Sequence, residues 1–219
     1  MPKYLIKFIK EEHLNYLLDI GLYMNAAGYY IPNKELQEKQ ADAHEGLCFP
    51  YGCAYKNRNR PIWCCTAIKE DEIKNNTMTL DKRLFEDFFG DDIEKGRLVL
   101  FEYAAFEKYF LANKDVYRSK YGCINYYPYQ YFKNCFASND WSNCLFRKDS
   151  KYAHQKEFRI AIDRECKRIF EDEEIDGINC KVLKTYKAYE FPLPNLRAIS
   201  KVYNANELPF DGTSYFLTL

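Results

Sequence analysis

Much of what the chain lacks narrows its function. It carries no net charge, since 32 Lys and Arg balance 32 Asp and Glu over 219 residues. A general nucleic-acid binder concentrates basic residues into a stripe, so the balance argues against that class. No apolar run approaches the roughly 20 residues that a membrane helix needs. No Cys-x-x-Cys pair occurs among the 9 cysteines, and their gaps do not repeat. A zinc site from Cys48, Cys53 and Cys64 is conceivable, but most of the cysteines read as small core hydrophobes. Neither a Gly-x-Gly-x-x-Gly nor a Walker-type sequence is present, which removes the usual dinucleotide and ATP folds. The opening Met1-Pro2-Lys3-Tyr4-Leu5-Ile6-Lys7-Phe8 reads as a strand with no cleavable apolar core behind it, so the expected location is the cytoplasm with reduced thiols.

What is abundant is aromatic. Twenty Tyr and 16 Phe bring the aromatic share to 17%, and tyrosine joins apolar area to a polar tip, as clefts and interaction surfaces require. The spacing predicts strands over residues 3–9, 22–25, 62–68, 97–103 and 121–127, and helices over 11–20, 80–89 and 104–113, with Gly21 capping the first helix. Residues 32–55 are polar and poorly periodic and read as a loop that could close as a lid. Glu171-Asp172-Glu173-Glu174 reads as a solvated turn. With no repeat, low-complexity tract or linker, the expectation is a single α+β domain over residues 1–219.

The most informative stretch runs from Lys148 to Asp163. Phe158, Ile160 and Ile162 alternate onto one face of a strand, while Gln155, Glu157 and Arg159 alternate onto the other. That second face is expected to meet solvent or a cleft. An amide, a carboxylate and a guanidinium in line there suggest chemistry, although an exposed Glu–Arg edge pair would read the same way.

With these residues stand several islands: Ile6-Lys7-Phe8, Gly21-Leu22-Tyr23-Met24-Asn25 with Tyr29-Tyr30, Asp42-Ala43-His44-Glu45-Gly46, Pro61-Ile62-Trp63-Cys64, and Phe146-Arg147-Lys148 with Tyr152. Together with Gln155-Lys156-Glu157-Phe158-Arg159 they resemble the ADP-ribosyltransferase-like superfamily, in particular a group of bacterial and phage proteins related to it. The resemblance implies a split mixed β-sheet with flanking helices, gripping NAD between its halves. It implies that Glu157 stabilises the oxocarbenium-like transition state of nicotinamide–ribose cleavage, that Gln155 orients the acceptor, and a role in conflict between bacteria and phages. Lys7 stands where the resembling enzymes carry His or Arg, and lacks the directional fork of the one and the ring of the other.

The candidate cofactor-binding residues for NAD are Lys7, Tyr23, Asn25, Tyr30 and Arg159. Glu157, Gln155 and His44 are the candidate catalytic ones, His44 because flanking carboxylates would raise its basicity. Arg58 with Arg60, and Arg147 with Lys148, could contact a pyrophosphate. Partners are then NAD or a related nucleotide and a protein acceptor, with water as acceptor in an NAD glycohydrolase. A non-catalytic nucleotide- or protein-binding module is the alternative that Lys7 favours. On the enzymatic reading, an amide at position 157 should abolish turnover and leave the fold intact.

Overall fold

The computed structural model describes residues 1–30, 58–113, 116–128, 143–175 and 178–219. The proposed lid at 32–55, with His44, Cys48 and Cys53, lies outside these residues. The chain starts with β1 (Tyr4–Lys10), α1 (Glu11–Asp19) and β2 (Gly21–Ala26), and resumes with β3 (Pro61–Ile68), β4 (Ile73–Lys74), β5 (Thr77–Asp81), α2 (Lys82–Phe88), β6 (Gly96–Glu102) and α3 (Tyr103–Leu111). There follow β7 (Ser119–Cys123), β8 (Asn125–Tyr127), β9 (Arg147–Asp149) and β10 (Glu157–Ile162). β11 (Arg168–Ile175), β12 (Ile178–Tyr186), β13 (Tyr189–Pro192), β14 (Ser200–Asn204) and β15 (Ser214–Thr218) complete it. The architecture is α+β, and no helix among the described residues is long and apolar enough to cross a membrane.

An eight-stranded sheet organises the molecule. Its centre is β3, which pairs along one edge with β10, from Glu157↔Thr66 to Ala161↔Ile62. The other edge is shared: β1 takes the end at Thr66–Ile68, and β2 takes the end at Pro61–Ile62. β1 continues into an arm with β6 and β14, β2 into an arm with β13, and β7 flanks β10. The sheet therefore forks, and α1 connects the two prongs. Every pairing within it is antiparallel, which corrects the expectation of a mixed sheet; among the described residues only the small β8·β9 pair is parallel.

Each face of the sheet has its own cover. Leu5, Trp63, Cys65, Phe158, Ile160 and Ile162 pack beneath α1 and α3, where Leu17, Leu18, Phe106 and Phe110 meet them. On the opposite face Ile6, Phe8, Leu98 and Leu100 are covered by Leu84 and Phe85 of α2 and by the β4·β5·β15 sheet. Farther along that face, Ile62 and Ala161 lie under Cys144 and Leu145.

Two local expectations change. Ile20, not Gly21, ends the first helix, its N–H bonded to the Tyr16 carbonyl. Gly21 instead opens β2 at φ +152°, where a Cβ would stand 2.2 Å from the Phe191 carbonyl oxygen of β13. The acidic run at 171–174 is part of β11 rather than a turn; Lys181 and Lys184 of β12 pair across the ribbon with Asp172 and Glu171.

Candidate functional site

Cross-strand partners share a face, so the registers of β10, β3 and β2 place Glu157, Arg159, Cys64, Asn25 and Tyr23 on one side of the sheet. It is the side covered by the 3-10 turns at Asn143–Phe146 and Ser150–Gln155 and by β9. The expectation that the polar side of β10 meets solvent or a cleft is therefore overturned. All six residues of β10 are buried, Glu157 at 5% exposure and Arg159 at 1%.

A carboxylate can stay ionised at such depth only with partners. Arg159 donates to Glu157 Oε1 from Nε at 2.7 Å and from Nη2 at 2.6 Å. Lys148 Nζ donates to Oε2 at 3.0 Å, and the Cys64 thiol, across from Arg159 on β3, also favours the ionised form. The three N–H donors occupy most of the roughly four acceptor positions of a carboxylate. Burial pushes the Glu157 pKa up, but the charges of Arg159 and Lys148 prevail and hold it at about 2. The Tyr126 hydroxyl accepts the Glu157 backbone N–H at 2.7 Å.

Gln155, at 6% exposure, is held as firmly. Its amide oxygen accepts from Lys148 Nζ at 2.9 Å, and its Nε2 donates to Asp87 Oδ2 at 2.9 Å. The same Asp87 oxygen lies 2.7 Å from His154 Nε2. Two carboxylates, two cations, an amide and an imidazole thus form one buried chain from α2 to β10. Burial, then the Glu157 charge, push the Cys64 thiol up to about 12, which leaves it protonated and a poor nucleophile.

The remaining candidates disperse. Lys7 sits at the fork: its Nζ donates to the Cys64 carbonyl at 2.7 Å, along the stretch that neither β1 nor β2 pairs, and lies 5.3 Å from the Trp63 ring centroid. It thereby satisfies backbone that the fork would leave bare. Tyr23 is 54% exposed on the β2 prong, edge-on to Tyr16 with ring centroids 6.0 Å apart. Asn25 is half-buried opposite Ile62. Tyr30 closes the 3-10 turn Ala27–Tyr30, but its side chain, like all of His44, lies outside the described residues. Among the described residues no group of three or more His, Cys, Asp or Glu could hold a metal.

Sequence reasoning missed Asp87, and took Lys148 for a phosphate contact. Asp87 carried no periodic signal: it stands off the arc of Leu84, Phe85 and Phe88 that covers the sheet, and what buries it is the Ser150–Gln155 turn, whose His154 and Gln155 meet its carboxylate. Compared with known proteins, the chain matches no family model, no curated protein and no solved structure.

Proposed function

We propose that the chain is an ADP-ribosyltransferase-like binding module for a dinucleotide of the NAD type, in which Gln155-x-Glu157 serves as a structural lock and not as a catalytic pair. The internal pairing of Glu157 carries this reading. Three N–H donors from within the chain take up most of its acceptor positions, and two cations offset its charge. To receive a ribose hydroxyl or to stabilise an oxocarbenium ion, it would first have to lose one of these partners. Nucleotide binding is supported by the family resemblance and by exposed Tyr23 and half-buried Asn25 on one face of the β2 prong; Lys7 belongs to the opposite face and is committed to the Cys64 carbonyl. Calorimetric titration with NAD tests it: saturable heat is expected, weakened by Tyr23→Ala, whereas absence of binding by the folded protein refutes it.

One observation favours the enzymatic reading of the same site. A carboxylate held ionised and fixed in orientation is what pre-organised charge stabilisation demands, and Glu157 is both. On that reading NAD would be cleaved at the nicotinamide–ribose bond, with a protein or water as acceptor, and Lys148 would be the partner displaced. Free nicotinamide in the same titration separates the two.

A further inference from the structure

The end of the sheet where β3 begins and β10 finishes gathers arginines in a chain with no net charge. Arg60 spans to Asp163, Nη1 to Oδ1 at 2.6 Å, and Arg164 lies 4.8 Å from the Tyr189 ring centroid. Beside them Arg168 and the Arg58 carbonyl flank one phenol. Arg168 stands directly across the ribbon from Tyr186. The Tyr186 ring in turn packs on Gly28, whose missing Cβ would meet the ring and its hydroxyl at 2.9 Å and the Arg58 carbonyl at 3.0 Å. Burial raises the Tyr186 pKa, while the charges of Arg168 and Arg58 lower it; no described carboxylate acts on it.

Between Arg58 and Arg60, Asn59 is 3% exposed, and its carbonyl oxygen Oδ1 has no hydrogen-bond partner among the described residues. Its backbone carbonyl is held by the Cys166 N–H at 2.6 Å, so the residue is fixed in place. A buried amide oxygen in this position lacks a donor.

We infer that Arg58, Arg168 and Tyr186 form a phosphate-binding site for a nucleotide, with Asn59 receiving an N–H or O–H from the same ligand. Guanidinium groups suit phosphate because their planar N–H pairs match two of its oxygens. The phenol adds a neutral donor, and the close approach of Gly28 sets its height. The inference deepens the dinucleotide reading and rests on it for the identity of the ligand, whereas the anion site stands on its own geometry.

Inorganic pyrophosphate is the direct probe, titrated calorimetrically at low ionic strength. Saturable binding is expected, weakened about tenfold or more by Arg168→Gln. Arg168 is exposed, so the fold should tolerate the change; Tyr186→Phe should weaken binding less, and Arg83→Gln on α2 not at all. No saturable binding, or equal affinity in Arg168→Gln and Arg83→Gln, would overturn the site. NAD that binds without displacing pyrophosphate would overturn the assignment to the nucleotide. Pyrophosphate binding without any NAD binding would sink the dinucleotide reading and leave the anion site standing.

Discussion

Arg159 is among the largest fully buried side chains, and what it faces explains why it can be there. Its guanidinium also donates to the Leu145 carbonyl, so it ties the covering segment to the sheet as well as to Glu157. Removing one member of such a cluster leaves buried charge uncompensated, at a cost of about 3 kcal/mol or more. Glu157→Gln should therefore destabilise the fold by roughly that amount, in contrast to the sequence-based expectation of an intact fold. Lys148→Met should do likewise, and the double variant should cost at least ~1 kcal/mol less than the sum, since each change removes the other's penalty. Urea unfolding of the four proteins measures this; additive losses would mean that the ion pair is not coupled. The same residue sets an acid limit. With the folded pKa at about 2, below the ordinary 4.5, the stabilisation is complete above the unfolded value and is lost as pH falls toward 2. It is on the order of 3 kcal/mol. The wild type should lose stability between pH 4.5 and 2 more steeply than Glu157→Gln; parallel curves would show that Glu157 titrates normally.

Elements meet as closely as single side chains do. β2 and β13 approach so tightly at Gly21 that a methyl group would strike the Phe191 carbonyl and the Leu193 nitrogen, and φ there is +152°. Gly21→Ala should cost about 2 kcal/mol or more, read as a lower urea midpoint at an unchanged slope; an unshifted midpoint would show that the prong yields. Most elements of the sheet were legible in the sequence because period-2 and period-3.6 patterns report which residues are apolar. The strands at β1, β3, β6 and β10 and the helices α1, α2 and α3 all fall near their expected places. Two things were hidden. Alternation along β10 separates Phe158 from Glu157 correctly, but says nothing of what covers the polar side, and here Cys144 and Leu145 lie over it. The acidic run at 171–174 has poor strand propensity. It is strand because β12, following close behind, offers Lys181 and Lys184 across the ladder, which composition in a short window cannot reveal.

For the molecule as a whole, the fork in the sheet and the lock on Glu157 point in different directions. The sheet splits around its shared central strand, where the proposed reading seats a nucleotide, with Lys7 at the split and Tyr23 exposed on the β2 prong. The carboxylate that would do chemistry there is instead surrounded by Arg159, Lys148 and Cys64 and roofed by the segment that carries Lys148. The proposed binding without cleavage would accommodate both. The measurement that bears most directly on this is free nicotinamide released from NAD by the purified protein at neutral pH, set beside NAD binding by the same sample. The account predicts saturable binding with no nicotinamide above the level of Glu157→Gln. Turnover in the wild type that disappears in a folded Glu157→Gln variant would contradict it, and would make Glu157 the catalytic carboxylate.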